Sequence, residues 1–158
     1  MTEHRTDHPD INKNVHPPIV AFMCITIAYL FGWSMPLPIA VPVALKYFGF
    51  ALTVIGFLLG VDAFIEFRKA RTTLDPHGSV KQLVTTGVYR ITRNPIYLGI
   101  LLMVIGLPLN SGFYWGILIA PFFVITLNRL VIEREETYLE GKFKETYTSY
   151  KSRVRRWL

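Results

Sequence analysis

The chain has 158 residues, 51% of them apolar, and a formal net charge of +6; its mean hydropathy is +0.35. That is too apolar for a soluble domain of this length, and the charges avoid the long apolar stretches and gather between and after them. This is the pattern of a small polytopic membrane protein with anionic lipid headgroups as partners, not of a nucleic-acid binder. The lone cysteine, Cys24, lies inside an apolar run, which excludes an intrachain disulfide or a thiolate metal cage and leaves it a small packing or membrane-facing residue.

Residues 1–16 are polar, with His4, His8 and His16 scattered among acids, prolines and threonines. They lack the basic start and short apolar core of a signal peptide and the spacing of a metal site, so they are expected to be a disordered tail. Residues 17–158 are expected to form a single domain. A first apolar segment runs over 19–35, opened by Pro17 and Pro18, which suit a first helical turn. Pro36, Pro38 and Pro42 then break the helix and make an apolar connector. A second segment, 44–67, is long enough to span a core of ~30 Å at ~1.5 Å per residue. Asp62 and Glu66 lie one turn apart at its end, on one face, within reach of Arg68, Lys69 or the loop cations. A polar stretch over 68–94 follows, holding Arg68, Lys69, Arg71, Lys81, Arg90 and Arg93.

The third apolar segment, 96–107, is roughly 18 Å long if helical and cannot span alone. It either continues past Pro108 or starts below the headgroups, shielded by protein. The fourth, 112–132, spans comfortably, and the uncharged link 108–111 makes a helical hairpin. The chain thus reads as an all-α bundle of about four transmembrane helices. Basic residues crowd 68–94 and the tail from Arg129 onward, while the two other connectors carry none, which puts both termini on the cytoplasmic side. In the tail, Leu139, Phe143, Tyr147, Tyr150, Val154 and Trp157 recur every three or four residues among lysines and arginines. This predicts one or two amphipathic helices lying on the membrane surface, either as an anchor or also as a lid over a site.

Charge packed against hydrocarbon marks a candidate site. Asn94 suits an N-cap and Pro95 the first helical position, so free N–H groups there would attract a carboxylate or phosphate, reinforced by Arg93. Tyr89 and Tyr97 offer rings for a base or a cation. Gly87 and Gly99 permit close backbone approach, and Gly87 suits a turn with positive φ. At the end of the fourth segment Arg129, Glu133 and Glu136 share one helix face, with Glu135 turned roughly 100° away. S-adenosylmethionine, carrying a carboxylate, an ammonium, a sulfonium and a base, would find a partner for each group. A phospholipid headgroup fits nearly as well, and headgroup anchoring alone would use the same Arg–Glu pairs.

The run Leu83-Val84-Thr85-Thr86-Gly87-Val88-Tyr89-Arg90, then Arg93-Asn94-Pro95-Ile96-Tyr97-Leu98-Gly99, resembles the isoprenylcysteine carboxyl methyltransferase and phospholipid methyltransferase superfamily. So does Glu135-Glu136-Thr137-Tyr138-Leu139 followed by Phe143, Tyr147, Tyr150 and Val154. These match the family's Arg-His-Pro-x-Tyr and Glu-Glu-x-x-Leu elements and its Phe-Gly-x-x-Tyr-x-x-Tyr tail, across roughly residues 70–156. Asn94 departs from the histidine of eukaryotic members, and Lys144 from the usual glycine after Phe143. The resemblance implies an integral-membrane enzyme binding S-adenosylmethionine in a cytoplasm-facing pocket covered by the C-terminal helices. A lipophilic acceptor would enter sideways from the bilayer: an isoprenylcysteine-type carboxylate, a phospholipid amine or a small lipophilic thiol. Carried over, Arg93, Asn94, Pro95, Tyr97, Glu135 and Glu136 line the cofactor site, with Gly87, Tyr89 and Leu98 in the same motif and Arg93 and Glu136 as the catalytic pair. An amine acceptor would also need a glutamate to take its proton. No Gly-x-Gly-x-x-Gly follows a strand pattern, which excludes a soluble dinucleotide-type methyltransferase fold. The competing readings are an NAD(P)H-dependent sterol-reductase-like enzyme, whose relatives lack the Glu-Glu-x-x-Leu pattern, and a non-catalytic lipid-binding membrane protein.

Overall fold

The computed structural model describes residues 16–70 and 82–158. The expected tail, His16 apart, and Arg71 and Lys81 of the polar stretch lie outside the described residues. Those described form an all-α bundle: α1 (Pro17–Ser34), α2 (Val43–Lys69), a 3-10 turn (Gly87–Arg90), α3 (Pro95–Asn110), α4 (Trp115–Leu127), a π-turn (Asn128–Ile132) and α5 (Glu133–Arg153).

α1 turns Ala21, Cys24, Ala28 and Gly32 inward. These small residues, three or four apart, let α3 and α4 approach its backbone, and Cys24 is a packing residue among them. A Cβ on Gly32 would sit 2.4 Å from the ring of Phe113. The large side chains of α1 and α2, among them Phe22, Trp33, Phe48 and Phe57, point outward, as lipid-facing residues do.

The tightest contact joins α2 and α3, which run antiparallel. Gly56 faces Gly99 and Gly49 faces Gly106, one pair seven residues from the next along each helix. A Cβ on Gly56 would meet the Gly99 carbonyl at 2.4 Å, and one on Gly106 the Gly49 carbonyl at 2.5 Å. The two helices therefore touch backbone to backbone, which only glycine permits. α2 is 27 residues long and α3 only 16, about 40 Å against about 24 Å. The end of α2 consequently projects past the start of α3. There it holds the polar connector: Asp62 Oδ2 accepts the Val88 N–H at 3.3 Å, and Glu66 binds Lys69 at 2.7 Å and the Thr86 hydroxyl. Gly87 turns with φ 57° directly against Glu66, so the acids at the end of the second span are spent on shaping this turn.

Among the described residues, three helices are long and apolar enough to cross a membrane: α1, α2 and the helix that opens with α4. The fourth expected span, α3, does run past Pro108 to Asn110, but it remains shorter than the others. Its carbonyl-side gap at Val104, created because Pro108 has no N–H, is closely approached by Gly116 of α4.

From Trp115 the helix runs through the π-turn, which marks the end of its apolar part, into α5 and on to a break at Lys144. A π-turn inserts extra residue length per turn and re-phases everything after it. The expected shared face of Arg129, Glu133 and Glu136 loses Arg129 as a result: Arg129 is exposed, while Glu133 and Glu136 stay on one side and both face Arg156. α5 does not extend through Trp157 either. It kinks at Lys144 (φ 46°, ψ −121°) and ends at Arg153, after which Val154 is extended. Nor does its apolar stripe face outward, since Tyr147, Tyr150 and Val154 are buried, packed with Leu83, Leu139 and Phe143.

Two expectations follow for stability. Gly56→Ala should destabilise the protein by about 1–3 kcal/mol through overpacking, whereas Gly60→Ala, where nothing lies within 4 Å of a new Cβ, should be neutral or slightly stabilising. Lys144→Gly should stabilise by about 1 kcal/mol by removing a left-handed non-glycine residue. Thermal unfolding of the purified protein in detergent checks both, and equal effects at Gly56 and Gly60 would contradict the packing account.

Candidate functional site

The site begins at the turn that starts α3. Thr92, almost fully buried, accepts the Asn94 N–H at 3.2 Å and closes the turn. Asn94 makes no side-chain cap. Its amide instead donates to the Arg156 carbonyl at 2.9 Å, alongside the Thr92 hydroxyl at 3.0 Å. The reason is local demand: the extended residues after α5 bring backbone carbonyls to this turn, and a buried carbonyl without a donor is costly. Pro95, buried, occupies the first helical position as the sequence predicts.

Two acidic residues of α5 come down on the start of α3. Glu135 Oε1 accepts the Tyr97 hydroxyl at 2.7 Å. Glu136, with its side chain 8% exposed, receives Arg93 Nη1 at 3.1 Å. It also receives Arg156 in a two-pronged contact, Nε to Oε1 at 3.0 Å and Nη2 to Oε2 at 2.8 Å. Lys151 stands 3.9 Å away and binds Glu140 at 2.5 Å. Arg93, only 9% exposed at its side chain, also donates to the Tyr147 hydroxyl at 3.3 Å. Its Nε is buried and has no partner. A guanidinium held this firmly with a spare buried donor is short of one acceptor, and a carboxylate matches its chemistry.

Of the residues singled out from sequence, Arg93, Asn94, Tyr97, Glu135 and Glu136 are brought together. Glu135 and Glu136 do point different ways, yet both reach α3. Arg129 is not part of the cluster, for the re-phasing reason above. Tyr89 packs its ring on Phe67 (centroids 5.6 Å apart) in a separate cluster with Ala63 and Val84, and only its carbonyl, bonded by the Tyr150 hydroxyl at 2.7 Å, looks toward the C-terminal helix. Gly87 sits against Glu66, and Leu98 is a buried packing residue. Sequence reasoning gave Arg156 no role beyond the cationic face of a helix. No spacing rule could have found it, since it arrives only because the chain folds back at Lys144, which also brings Lys151 to Glu140 and Glu136. Tyr147 was visible as part of the tail motif but not as a partner of Arg93.

Burial pushes the Glu135 carboxyl up to about 7, with the Tyr97 hydrogen bond lowering it and the charge of Glu136 raising it further. Glu135 lies beyond the apolar part of its helix. Burial also pushes the Tyr147 phenol up to about 12, so it stays a neutral hydroxyl beside Arg93.

A family model described as phospholipid methyltransferase matches residues 45–146, which is well over half of the chain. An uncharacterized protein of Haemophilus influenzae is 44% identical over 66 residues, which is 40% of this chain and the whole of that relative. No solved structure matches.

The Glu135 environment makes a pH prediction. Its folded pKa of about 7 lies above the unfolded value of ~4.3, so this group destabilises the fold as it is forced to ionise. Its contribution to stability falls as pH rises through that interval and levels off above it. Glu135→Gln keeps the acceptor for Tyr97 and removes the titration. The variant should come close to the wild type in thermal stability near pH 4.5 and exceed it by about ten degrees (~3–4 kcal/mol) at pH 8. A gap that does not change with pH would refute this account of the site.

Proposed function

The chain belongs to the phospholipid methyltransferase family, and on that premise we propose that it is an integral-membrane methyltransferase that uses S-adenosylmethionine and acts on a lipophilic acceptor, foremost a phospholipid amine. The observation that carries the reading is the buried Arg93 guanidinium with its unpartnered Nε, held against Glu136 at the start of α3 and beside the Tyr97–Glu135 pair. Cations and carboxylates so arranged fit a zwitterionic amino-acid end better than a simple phosphate.

When bound, S-adenosylmethionine supplies a methyl group made electrophilic by the attached sulfonium. The protein's part is binding, orientation and proton handling. Arg93 Nε–H would bind the carboxylate, Glu136 the ammonium, and the first turn of α3 would add its positive end. Tyr97 fixes the rotamer of Glu135 through a single neutral hydrogen bond. Glu136 is neutralised by two guanidiniums and is a poor base. Glu135 is held by the Tyr97 hydroxyl, and its pKa near neutrality suits it to take a proton from an ammonium headgroup. An acceptor that arrives ionised, such as an isoprenylcysteine carboxylate, needs no such base, so the arrangement favours the amine. The basic residues of 82–94 and of α5 lie at the same end of the bundle as the site, which supports a cytoplasmic site with both termini on that side and anionic headgroups around it.

Labelled S-adenosylmethionine should bind the purified protein, and NADPH should not. Arg93→Ala and Glu136→Gln should each weaken binding at least ~100-fold, about 3 kcal/mol, with the helical circular-dichroism signal retained. Incubation with a lipid extract should transfer label to an amine phospholipid. Binding of NADPH in place of S-adenosylmethionine, or label appearing only on a carboxylate or thiol, would overturn the corresponding part.

A further inference from the structure

Beyond residue 146, where the family match ends, the chain leaves α5 and crosses the start of α3 as a short strap. Thr92 and Arg155 form a parallel β-bridge, and the Arg93 N–H donates to the Arg155 carbonyl at 2.9 Å. The Arg156 carbonyl takes the Thr92 and Asn94 side chains. The Trp157 indole N–H donates to Asn128 Oδ1 at 3.1 Å, at the π-turn. The strap thereby lies over the same turn that presents Arg93, and its Arg156 side chain covers both oxygens of Glu136.

We propose that Arg156 is the latch of a gate formed by this strap, and that the latch opens by a carboxylate swap between Glu136 and Glu133. A ligand ammonium that engages Glu136 has to displace one of the two guanidiniums already there. Arg93 is 9% exposed and the Nη1 that meets Glu136 is also held by the Tyr147 hydroxyl, so it is not the one to leave. Arg156 is 30% exposed, and its remaining nitrogen, Nη1, already stands 3.8 Å from Glu133, whose side chain is 48% exposed. Shifting onto Glu133 keeps the Arg156 charge paired while it uncovers Glu136. The exchange costs little because one ion pair replaces another, and it draws the strap outward because the Arg156 backbone carries the bonds to Thr92 and Asn94. The ligand's identity rests on the function proposed above; the latch itself rests on the contacts of the strap.

Two measurements on the full chain in detergent test it. In hydrogen–deuterium exchange without ligand, Arg156→Gln should speed exchange of the 92–94 amides about tenfold and leave those of the α2–α3 contact unchanged. Arg156→Lys should restore part of the protection. In stopped-flow binding of S-adenosylmethionine, Arg156→Gln should raise both association and dissociation rates, about tenfold each, with a much smaller change in Kd. Glu133→Gln, which removes the receiving carboxylate, should slow association. Unchanged exchange at 92–94 overturns the latch. So does faster exchange throughout the bundle, which would make Arg156 a general structural prop, or a rise in dissociation alone, which would make it a simple ligand contact. Should the wild-type protein bind no S-adenosylmethionine, the functional proposal fails and the exchange experiment alone decides the latch.

Discussion

One buried carboxylate ties together three parts of the chain that have no sequence proximity. Glu136 on α5 is enclosed by Arg93 from the turn before α3 and by Arg156 from the strap after α5. Removing a single member of a buried ion cluster costs about 3–5 kcal/mol because it strands the remaining charge. The position of α5 over the start of α3 and the orientation of Arg93 therefore stand or fall together, with the strap joined to them through the more exposed Arg156. The charges are tolerated because they lie at the end of the bundle, past the apolar part of the last long helix, and because almost every donor is matched. The exception, Arg93 Nε, is also the atom that best explains why such a cluster is retained.

The cluster is set in place by a contact of the opposite character. Backbone-to-backbone packing of Gly56 on Gly99 and of Gly49 on Gly106 fixes α3 against α2 in height as well as in distance. Since α3 is the shorter helix, its first turn is recessed beside the projecting end of α2 and is roofed by α5 and the strap. A charged turn so recessed needs its polar groups matched by the protein, which the strap carbonyls do. The same end of α2 gives up Asp62 and Glu66 to hold the connector 86–90. Those two acids therefore act on the site only through the shape of the loop that leads into it.

The two departures from the family pattern have different physical meanings. Lys144 stands where the backbone takes a positive φ, so the usual glycine is explained by conformation and its replacement by lysine carries strain at the kink of α5. Asn94, in place of a histidine, sends its amide to the Arg156 carbonyl. It thereby belongs to the strap more than to the capping of α3, a role that its position ahead of a proline would not suggest.

The apolar segments, the proline connectors and the gathering of basic residues at one end were legible because they depend on periodicity and composition, which are local. So was the meeting of the motif around Arg93 and Tyr97 with that of Glu135 and Glu136, through their resemblance to a family's two elements, though not which glutamate meets which partner. The register after Asn128 was not, because a π-turn leaves no mark in hydropathy and yet puts Arg129 out of phase with Glu133 and Glu136. The extended course after Arg153 was equally hidden, since the alternation of Tyr150, Val154 and Trp157 continues a helical period while the backbone has already left it. By itself the amino-acid order determined that this is a membrane helix bundle with charge concentrated at two motifs. Only the tertiary structure decided which charges meet, because the partners of Arg156, Asn94 and Tyr147 are chosen by distance across a chain reversal and not by position along the chain.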